Sequence, residues 1–410
     1  MGENNIFKGE TMCKEGENNH LNDVVDMDDP VNQFTLGATY YNGIFDEPDY
    51  KEAVKWFRLS AEQGYFLSQF FLGLCYLYGQ GVRKNKHMGV EWMRKAAEQG
   101  DPQAQFNLAL SYEYGNGVRK DMKTAAAWYS MSAELGDAEA QYCLGRCYFF
   151  GEGVRVDKKK AVEWWIKSAE QGCEHAQYFL GICYYSGYGV RANKKAAVEY
   201  YGKAAEKGIA DAQYELARCF DEGIGVKADK KMAVKWYHKA AEQGHAEAQF
   251  YLGCCYKYGT GVRVNKKTAV EWWQKAAEQG DADAQYCLGF CYYLGKGVKK
   301  DYAQAVEWYR KSAEQGDPRA QFSLANCYFH GHGVEEDATE VVKWMRKAAK
   351  QGHAGAQYDL GICYEDGYGV GKNKRKAVEW MRKSAEQGDE TAKEWLEENG
   401  QKLPSVRSTK

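Results

Sequence analysis

The chain has 410 residues, of which 44% are hydrophobic and 27% are charged, and its formal net charge is −2. A near-neutral balance gives no general attraction to nucleic acid or to an anionic membrane surface. The sequence has no run of 18 apolar residues that could form a transmembrane helix. Length and composition are typical of a single elongated soluble domain.

Residues 1–28 are polar and carry seven acidic side chains among few large apolar ones. This composition favours a disordered acidic tail, because the segment has too little apolar surface to bury on folding. It also lacks the apolar core of a secretory signal. We therefore expect an N-terminal tail that precedes the folded part of the chain.

From residue 29 to residue 388 the sequence repeats itself with a fixed period of 36 residues. The clearest copy, residues 281–316, reads DADAQYCLGFCYYLGKGVKKDYAQAVEWYRKSAEQG. Nine GxGV motifs keep this step without an insertion, from Gly79/Gly81 to Gly367/Gly369. Regular self-similarity at this length predicts a solenoid, whose units bury their apolar faces by stacking on their neighbours. We number the copies as repeats 1 to 10.

Each repeat is predicted to form two helices. Asp101 and Pro102 are typical of a helix start, because Asp caps free N–H groups and Pro fits the first turn. Gly151 is expected to end the first helix of its repeat. Each first helix carries a residue, Leu144 in one copy, that is followed by Gly or Ala, as at Gly145. Since Gly destabilises a helix by about 1 kcal/mol, its recurrence suggests that the backbone of a second helix lies too close for a larger side chain.

The second helix of each repeat is expected to begin near Asp157 or its counterpart. Ala161, Trp165 and Ser168 then share one face. The residue before Trp165 is also Trp in nine copies, with Tyr200 in the tenth, and we interpret this Trp series as core rather than as a ligand-binding site. The nine are Trp56, Trp92, Trp128, Trp164, Trp236, Trp272, Trp308, Trp344 and Trp380.

The two ends of the array depart from the consensus. In repeat 1, residues 29–64, the GxGV loop is replaced by Gly43-Ile44-Phe45. Residues 389–400 resemble one more first helix with polar substitutions, which suits a C-terminal capping helix with one wet face. Residues 401–410 are expected to form a disordered tail.

The motifs AxxxLGxxY, GxGV and KAxxWxxKAAEQG resemble those of the Sel-one-like repeat family, which is related to tetratricopeptide repeats. The resemblance covers residues 29–388. It implies an all-α, right-handed α-solenoid superhelix of about ten helix-loop-helix repeats. It also implies an adaptor or scaffold role in assembling protein complexes, and it carries no catalytic residues to this chain.

The chain has 13 cysteines, and eight of them hold the same repeat position. Stacked helices would place neighbouring copies roughly 10 Å apart, which is too far for a disulfide. We interpret them as small buried hydrophobic residues in a reducing compartment, and therefore expect a cytoplasmic location. Some secreted members of the family pair a Cys near the AEQG motif, where this chain has Ala. The eight are Cys75, Cys147, Cys183, Cys219, Cys255, Cys291, Cys327 and Cys363.

Residues that could carry chemistry are few. Cys143 and Cys147 could offer two metal ligands from one helix, but no second pair at suitable spacing completes a site. His330 and His332 resemble half a metal site, yet a solvated loop is favoured because eight other copies of this loop lack His. Motifs of hydrolases, proteases and phosphate-binding enzymes are absent. We expect no cofactor, no metal and no enzymatic activity, with an enzyme or metal-dependent module of unrecognised type as the alternative.

A basic residue follows the GxGV motif in seven successive copies. We expect these side chains to form a solvated edge or to pack against the acid of AEQG, and we expect no nucleic-acid binding, which needs a more positive balance. The seven are Arg83, Arg119, Arg155, Arg191, Lys227, Arg263 and Lys299.

Four positions of the first helix, at i, i+4, i+7 and i+11, vary from repeat 2 to repeat 10 while their neighbours stay alike. We call them the variable stripe, and in repeat 2 they are Leu67, Phe71, Leu74 and Tyr78. Variation at fixed geometry suggests that the stripe faces outward, where neutral drift would favour Lys, Glu and Ser.

Aromatic residues are instead frequent in the stripe, which favours a recognition surface for a protein or peptide. We expect the partner to be a polypeptide segment with apolar residues flanking a central basic one. The candidate partner-binding residues are Phe71, Leu74, Tyr78, Tyr114, Arg146, Phe150, Phe179, Arg218, Glu222, Tyr251, Tyr258 and Phe290.

Overall fold

The computed structural model describes residues 26–44 and 47–401. The tails expected over residues 1–28 and 401–410 lie outside the described residues, up to residue 25 and from residue 402 onward. Phe45 and Asp46 of the degenerate loop also lie outside them.

Within the described ranges the chain forms 21 α-helices and no strands, as the repeat pattern predicts. Helices α1 to α20 each have 13 residues, and α21 has nine. The chain divides after Cys173 into two compact units. The first contains α1 (Pro30–Asn42), α2 (Tyr50–Glu62), α3 (Phe66–Tyr78), α4 (Lys86–Glu98), α5 (Pro102–Tyr114), α6 (Met122–Glu134), α7 (Ala138–Phe150) and α8 (Lys158–Glu170).

The second unit contains the remaining six helix pairs and one final helix. They are α9 (Glu174–Ser186), α10 (Lys194–Glu206), α11 (Ala210–Glu222), α12 (Lys230–Glu242), α13 (Ala246–Tyr258), α14 (Lys266–Glu278), α15 (Ala282–Leu294), α16 (Tyr302–Glu314), α17 (Pro318–His330), α18 (Ala338–Lys350), α19 (Ala354–Asp366), α20 (Lys374–Glu386) and α21 (Glu390–Glu398).

The helix ends follow the predicted capping signals. The Asp101 carboxylate accepts a hydrogen bond from the Ala104 amide at 2.6 Å, and Pro102 occupies the first turn of α5. The second helices are capped in the same way, since Asp157 accepts hydrogen bonds from two amides at the start of α8. Gly151 ends α7 in the left-handed region, with φ 79°. These caps satisfy N–H groups that would otherwise lack a partner.

The recurrent small residue of the first helix makes room for one large side chain of the second. A methyl group added at Gly145 would lie 2.4 Å from Nε1 of Trp165. Trp165 is fully buried, and its indole N–H donates to the Tyr142 carbonyl oxygen at 3.1 Å. At Gly145 the close neighbour is therefore a side chain of the second helix, whereas the sequence predicted the helix backbone. Helix backbone is the close neighbour at Gly73, where the added group would lie 2.9 Å from the Gly89 carbonyl oxygen.

The residue after the recurring Trp is thus the large side chain at the centre of each second helix, and it is aromatic in seven repeats and Met93, Met345 or Met381 in the other three. Trp236, Trp272, Trp308 and Trp344 are buried, which confirms the core interpretation for those copies. The other five of the series are half-buried and lie at the rim of the core. A lysine three residues later lies over most of these rings, for example Lys167 at 4.1 Å from the Trp164 ring centroid.

Within each unit, the second glycine of the GxGV loop rests on the preceding repeat. Gly153 has φ 74°, and a methyl group added there would lie 2.0 Å from the Met122 carbonyl oxygen, at the start of the preceding second helix. Gly261 stands in the same relation to Lys230, at 2.2 Å. Both the backbone conformation and the lack of space require glycine here.

A glutamine pair recurs in eight of the ten repeats, and it also joins a repeat to the one before it. Nε2 of Gln99, at the end of α4, donates to Oε1 of Gln69 on α3 and to the Gly64 carbonyl oxygen of repeat 1. Gln69 in turn donates to the Ala61 carbonyl oxygen. Eight such Gln–Gln bonds measure 2.7–3.0 Å. The pairs are Gln33/Gln63, Gln69/Gln99, Gln141/Gln171, Gln213/Gln243, Gln249/Gln279, Gln285/Gln315, Gln321/Gln351 and Gln357/Gln387.

Repeat 3 breaks this pairing because Leu135 stands where the second glutamine is expected. Gln105 is buried and donates to the Ala97 carbonyl oxygen, but its Oε1 accepts no hydrogen bond from any residue that the structure describes. A buried acceptor without a partner destabilises a fold by about 1–3 kcal/mol. Leu135 is itself 56% exposed, so its apolar side chain contributes little in return.

We predict that Leu135→Gln stabilises the protein by about 1 kcal/mol, because the new amide can donate to Gln105 Oε1. Denaturant unfolding of the full chain measures the change. The control is the same substitution in a Gln105→Met background, where no acceptor remains and no gain is expected. An equal gain in both backgrounds would show that the hydrogen bond is not its cause.

We also predict that Trp165→Ala costs about 3–5 kcal/mol, since it leaves a large cavity and removes the indole hydrogen bond to the Tyr142 carbonyl. The adjacent substitution Trp164→Ala removes a half-buried ring of the same size, and we expect it to cost about 1–2 kcal/mol. Denaturant unfolding compares the two variants directly. Equal losses would contradict the assignment of Trp165 as the centre of its repeat.

Candidate functional site

The structure separates the four positions of the variable stripe by exposure. The fourth position, at the end of each first helix, is exposed in all nine copies. The first is exposed in seven copies, and the third is partly buried in all nine. The exposed residues at the fourth position are Tyr78, Tyr114, Phe150, Ser186, Glu222, Tyr258, Leu294, His330 and Asp366.

Three consecutive first helices of the first unit carry an exposed aromatic residue at this fourth position. Tyr78 is 67% exposed, Tyr114 is 68% exposed and Phe150 is 54% exposed. In the second unit, Tyr258 is 67% exposed. These side chains lie outside the core although each belongs to an otherwise buried helix. They are the most accessible members of the predicted partner-binding set.

Phe71 does not lie on this surface, and the prediction that it faces outward is wrong. It is buried, and its ring packs 5.7 Å from Phe34 and 5.4 Å from Phe57, measured between centroids. The large aromatic residues of repeat 1 cover it. Leu74, Phe179 and Phe290 are partly buried, so each offers only part of its surface to a partner.

Arg146 is held by contacts within the first unit. Its Nη2 donates to Glu113 at 2.8 Å and to Glu152 at 3.3 Å. Burial alone would raise the pKa of Glu113, but hydrogen bonds from Tyr129 and Arg146 outweigh it and lower that pKa. Arg146 therefore compensates a buried carboxylate, which is a structural role.

The variable stripe of repeat 6 is polar, and its charged side chains lie close together. Arg218 lies between Glu215 at 3.2 Å and Glu222 at 3.7 Å. The neighbouring Tyr251 stacks on Tyr237 of the preceding repeat, with centroids 5.6 Å apart, and remains 39% exposed. This surface of the second unit is therefore mixed, with paired charges beside a partly exposed aromatic ring.

A pocket of about 490 Å³ lies between α17, α18 and α19 of the second unit. It was not among the predicted sites, although several of its residues belong to the variable stripe of repeats 9 and 10. The lining residues are Asn326, Phe329, His330, Val341, Met345, Asp359, Ile362, Cys363, Asp366 and Tyr368.

Asp359 is the unusual group in this pocket. Burial, with a smaller contribution from the nearby Asp389 carboxylate, raises the pKa of Asp359 to about 6. Within residues 26–44 and 47–401, no hydrogen bond or ion pair reaches its carboxylate. The signal available in the sequence was an acid at the second stripe position, which is buried or partly buried in eight of the nine copies, Tyr251 being the exception.

The other residues considered for catalysis or metal binding have structural roles. His332 is not a solvated loop residue as expected, because it stacks on Tyr302 with centroids 4.4 Å apart and its Nδ1 lies 2.9 Å from the Tyr293 hydroxyl. Burial raises the pKa of Cys75 and of Cys147 to about 12, so these thiols are poor nucleophiles at neutral pH. In the part of the chain that the structure describes, no group of three His, Cys, Asp or Glu is arranged to hold a metal ion.

The basic residues after GxGV are all exposed, as expected for a solvated edge. Among the described residues none of these side chains forms an ion pair, so packing against the acid of AEQG is not observed. They are Arg83, Arg119, Arg155, Arg191, Lys227, Arg263 and Lys299.

The Sel1 repeat family model matches ten consecutive segments of the chain. They are residues 33–65, 67–101, 102–137, 138–173, 174–209, 210–245, 246–281, 282–317, 318–353 and 354–389. The chain belongs to the Sel1 repeat family. Sel1 repeats generally serve as protein–protein interaction modules and are typically non-catalytic.

Two solved Sel1 repeat structures are similar to this one over most of their length. One is c5321, a protective antigen of uropathogenic Escherichia coli, at 36% identity, with 92% of this chain and 89% of that chain covered and a TM-score of 0.57. The other is a Sel1 repeat protein of Oxalobacter formigenes, at 35% identity, with 75% and 90% covered and a TM-score of 0.57. No curated protein matches the sequence. Among the helices of the described residues, none has the length and apolar character needed to cross a membrane.

We predict that Asp359→Asn becomes more stable relative to the unsubstituted protein as the pH rises from 4 to 7.5. A carboxyl whose pKa is raised on folding binds its proton more tightly in the folded state, so its stabilising effect is lost as the pH rises through about 6. Asn has no such proton to lose. The relative gain should approach about 3 kcal/mol at most, from a shift of roughly two pKa units.

Denaturant unfolding at several pH values measures this difference. Glu271→Gln, which removes an exposed acid from a second helix of the same unit, is the matched control for loss of a negative charge. A difference between Asp359→Asn and the unsubstituted protein that does not vary with pH would contradict the effect of partial burial on the Asp359 carboxyl.

Proposed function

We propose that this Sel1 repeat protein is a non-enzymatic adaptor or scaffold of the cytoplasm, which binds polypeptide segments along the variable stripe and so assembles a protein complex. One observation carries the proposal: the fourth stripe position is exposed in every copy and often holds a large aromatic residue. Tyr78, Tyr114 and Tyr258 are each more than 65% exposed.

Exposed aromatic rings at a regular position are unusual on a solvated surface. Drift on such a face favours charged and small polar residues, whereas Tyr combines a large apolar area with a polar tip and few rotatable bonds. Side chains of this kind commonly provide most of the binding energy of an interface. Their recurrence on adjacent first helices gives a row of similar anchors.

The spacing of this row favours an extended partner. Within the first unit, first helices of adjacent repeats are in direct contact, as the Arg146–Glu113 bond between α7 and α5 illustrates. Packed helices lie about 8–10 Å apart, and an extended chain advances about 3.3 Å per residue. Successive anchors would therefore meet every third residue of the partner, which suits apolar side chains at i, i+3 and i+6.

The proposed absence of catalysis and the proposed location are supported by the state of the cysteines. Cys75, Cys147, Cys219 and Cys327 are buried free thiols, and burial raises the pKa of each. Such thiols act as small apolar residues rather than as nucleophiles. A chain that carries this many unpaired buried thiols suits a reducing compartment.

We predict that random 12-residue peptides selected by phage display on the full chain carry apolar residues spaced by three. The double variant Tyr78→Ala/Tyr114→Ala should bind peptides directed to the first unit at least tenfold more weakly, because each anchor contributes about 1–3 kcal/mol. Fluorescence anisotropy with labelled synthetic peptides measures the affinities.

The matched control is Leu59→Ala/Met131→Ala, which removes two exposed apolar side chains from second helices of the same unit. It should leave peptide affinity unchanged. If the Leu59→Ala/Met131→Ala control loses binding while Tyr78→Ala/Tyr114→Ala keeps it, the interface lies on the second helices. Failure to select any peptide would count against a role in binding polypeptide segments.

A further inference from the structure

The pocket of repeats 9 and 10 is built on the variable stripe itself. Asn326 and His330 come from the stripe of α17, and Asp359, Ile362 and Asp366 come from the stripe of α19. Val341 and Met345 of α18 close its inner side. The stripe thus forms a concave site here, in contrast to the projecting aromatic residues of the first unit.

The pocket combines apolar walls with an acid that has no partner. Phe329 and Tyr368 pack against each other at one side, with ring centroids 5.3 Å apart, while Ile362 and Met345 lie on other walls. Asp359 lies among these groups, and no Lys or Arg is found in the described lining. A carboxylate in such surroundings is destabilised unless a cation or donor reaches it.

The lining selects for a particular kind of occupant. A long side chain with an apolar stem and a cationic head can pack its methylene groups against the walls and place its charge beside the acid. Arginine and lysine are the protein side chains with this form. The volume of about 490 Å³ is within the range of small-ligand pockets and leaves room for the flanking backbone.

We propose that this pocket binds an arginine or lysine side chain of the partner polypeptide, with Asp359 as the carboxylate that pairs with the cationic head. The assignment rests on the proposed function, because the occupant is part of a segment bound along the stripe. Apolar anchors elsewhere on the stripe provide binding area, and this pocket fixes the register of the segment through one basic residue.

The groups that carry a charge near Asp359 at neutral pH are few, and they are acidic like Asp359 itself. Asp366 lines the pocket from α19, and Asp389 precedes α21 near Asp359. His330 lines the pocket from α17, and α18 contributes Val341 and Met345 to the described lining. A bound cation favours the charged form of Asp359, so binding near pH 6 should release a proton.

The test uses n-butylguanidinium, which reproduces the end of an arginine side chain, and N-butylurea, its uncharged analogue. Methyl resonances of Ile362 and Met345 in the full chain report occupancy of the pocket at pH 7.5. We expect butylguanidinium to shift these resonances with at least tenfold higher affinity than butylurea. Asp359→Asn should abolish this preference, and the exposed-acid control Glu271→Gln should retain it.

Equal affinities for the two probes, or a cation preference that persists in Asp359→Asn, would overturn the assignment. Circular dichroism of the Asn variant verifies that the helices are intact. In the selected peptides, replacing each Arg by citrulline and each Lys by norleucine should reduce affinity for the unsubstituted chain at least tenfold, and should have little effect with Asp359→Asn.

The two proposals can fail separately. Peptides that depend on the stripe but keep full affinity after citrulline and norleucine replacement would refute the cation pocket and leave the adaptor proposal standing. A pocket that prefers butylguanidinium through Asp359 in a chain that selects no peptide would support the cation site and refute its use by a polypeptide.

Discussion

The fit of one large side chain of the second helix onto one small residue of the first sets the distance within most helix pairs. Trp165 on Gly145, with its N–H on the Tyr142 carbonyl, shows this contact at its largest. Because an interior packs at near-crystalline density, a larger residue on either side would displace a helix and the neighbours stacked on it. The loop glycines and the glutamine pairs then hold neighbouring repeats at a similar distance from one another.

This repeated geometry leaves few positions where a side chain can change without disturbing a neighbour. The end of each first helix is such a position, and there the chain holds Tyr78, Tyr114 and Phe150 in one unit and Glu222 or Tyr258 in the other. The repeats therefore supply an invariant support, and the specificity of the surface resides in residues that the fold does not determine. A family resemblance identifies the support, while the partner has to be inferred from the variable residues of this particular chain.

Periodicity in the sequence predicted the helices, their caps and the small-residue contact, since these follow from interactions within a single repeat. It misjudged residues whose environment comes from another repeat. Phe71 is buried because Phe34 and Phe57 of repeat 1 cover it, and His332 is stacked on Tyr302 of the preceding repeat. The spacing of one helix shows which face meets its partner helix, but the size of the neighbouring side chains decides whether the opposite face is also covered.

The pocket around Asp359 could not be predicted for the same reason, because its walls come from three helices of two repeats. Elsewhere in this fold a buried acid is compensated, as Glu113 is by Arg146 and Tyr129. Asp359 has no such compensation among the described residues, and its raised pKa expresses the resulting cost to the folded state. An uncompensated acid is what a binding site for a cationic side chain requires, since an internal partner would compete with the ligand. The same group thus lowers stability in the free protein and provides selectivity when the pocket is filled.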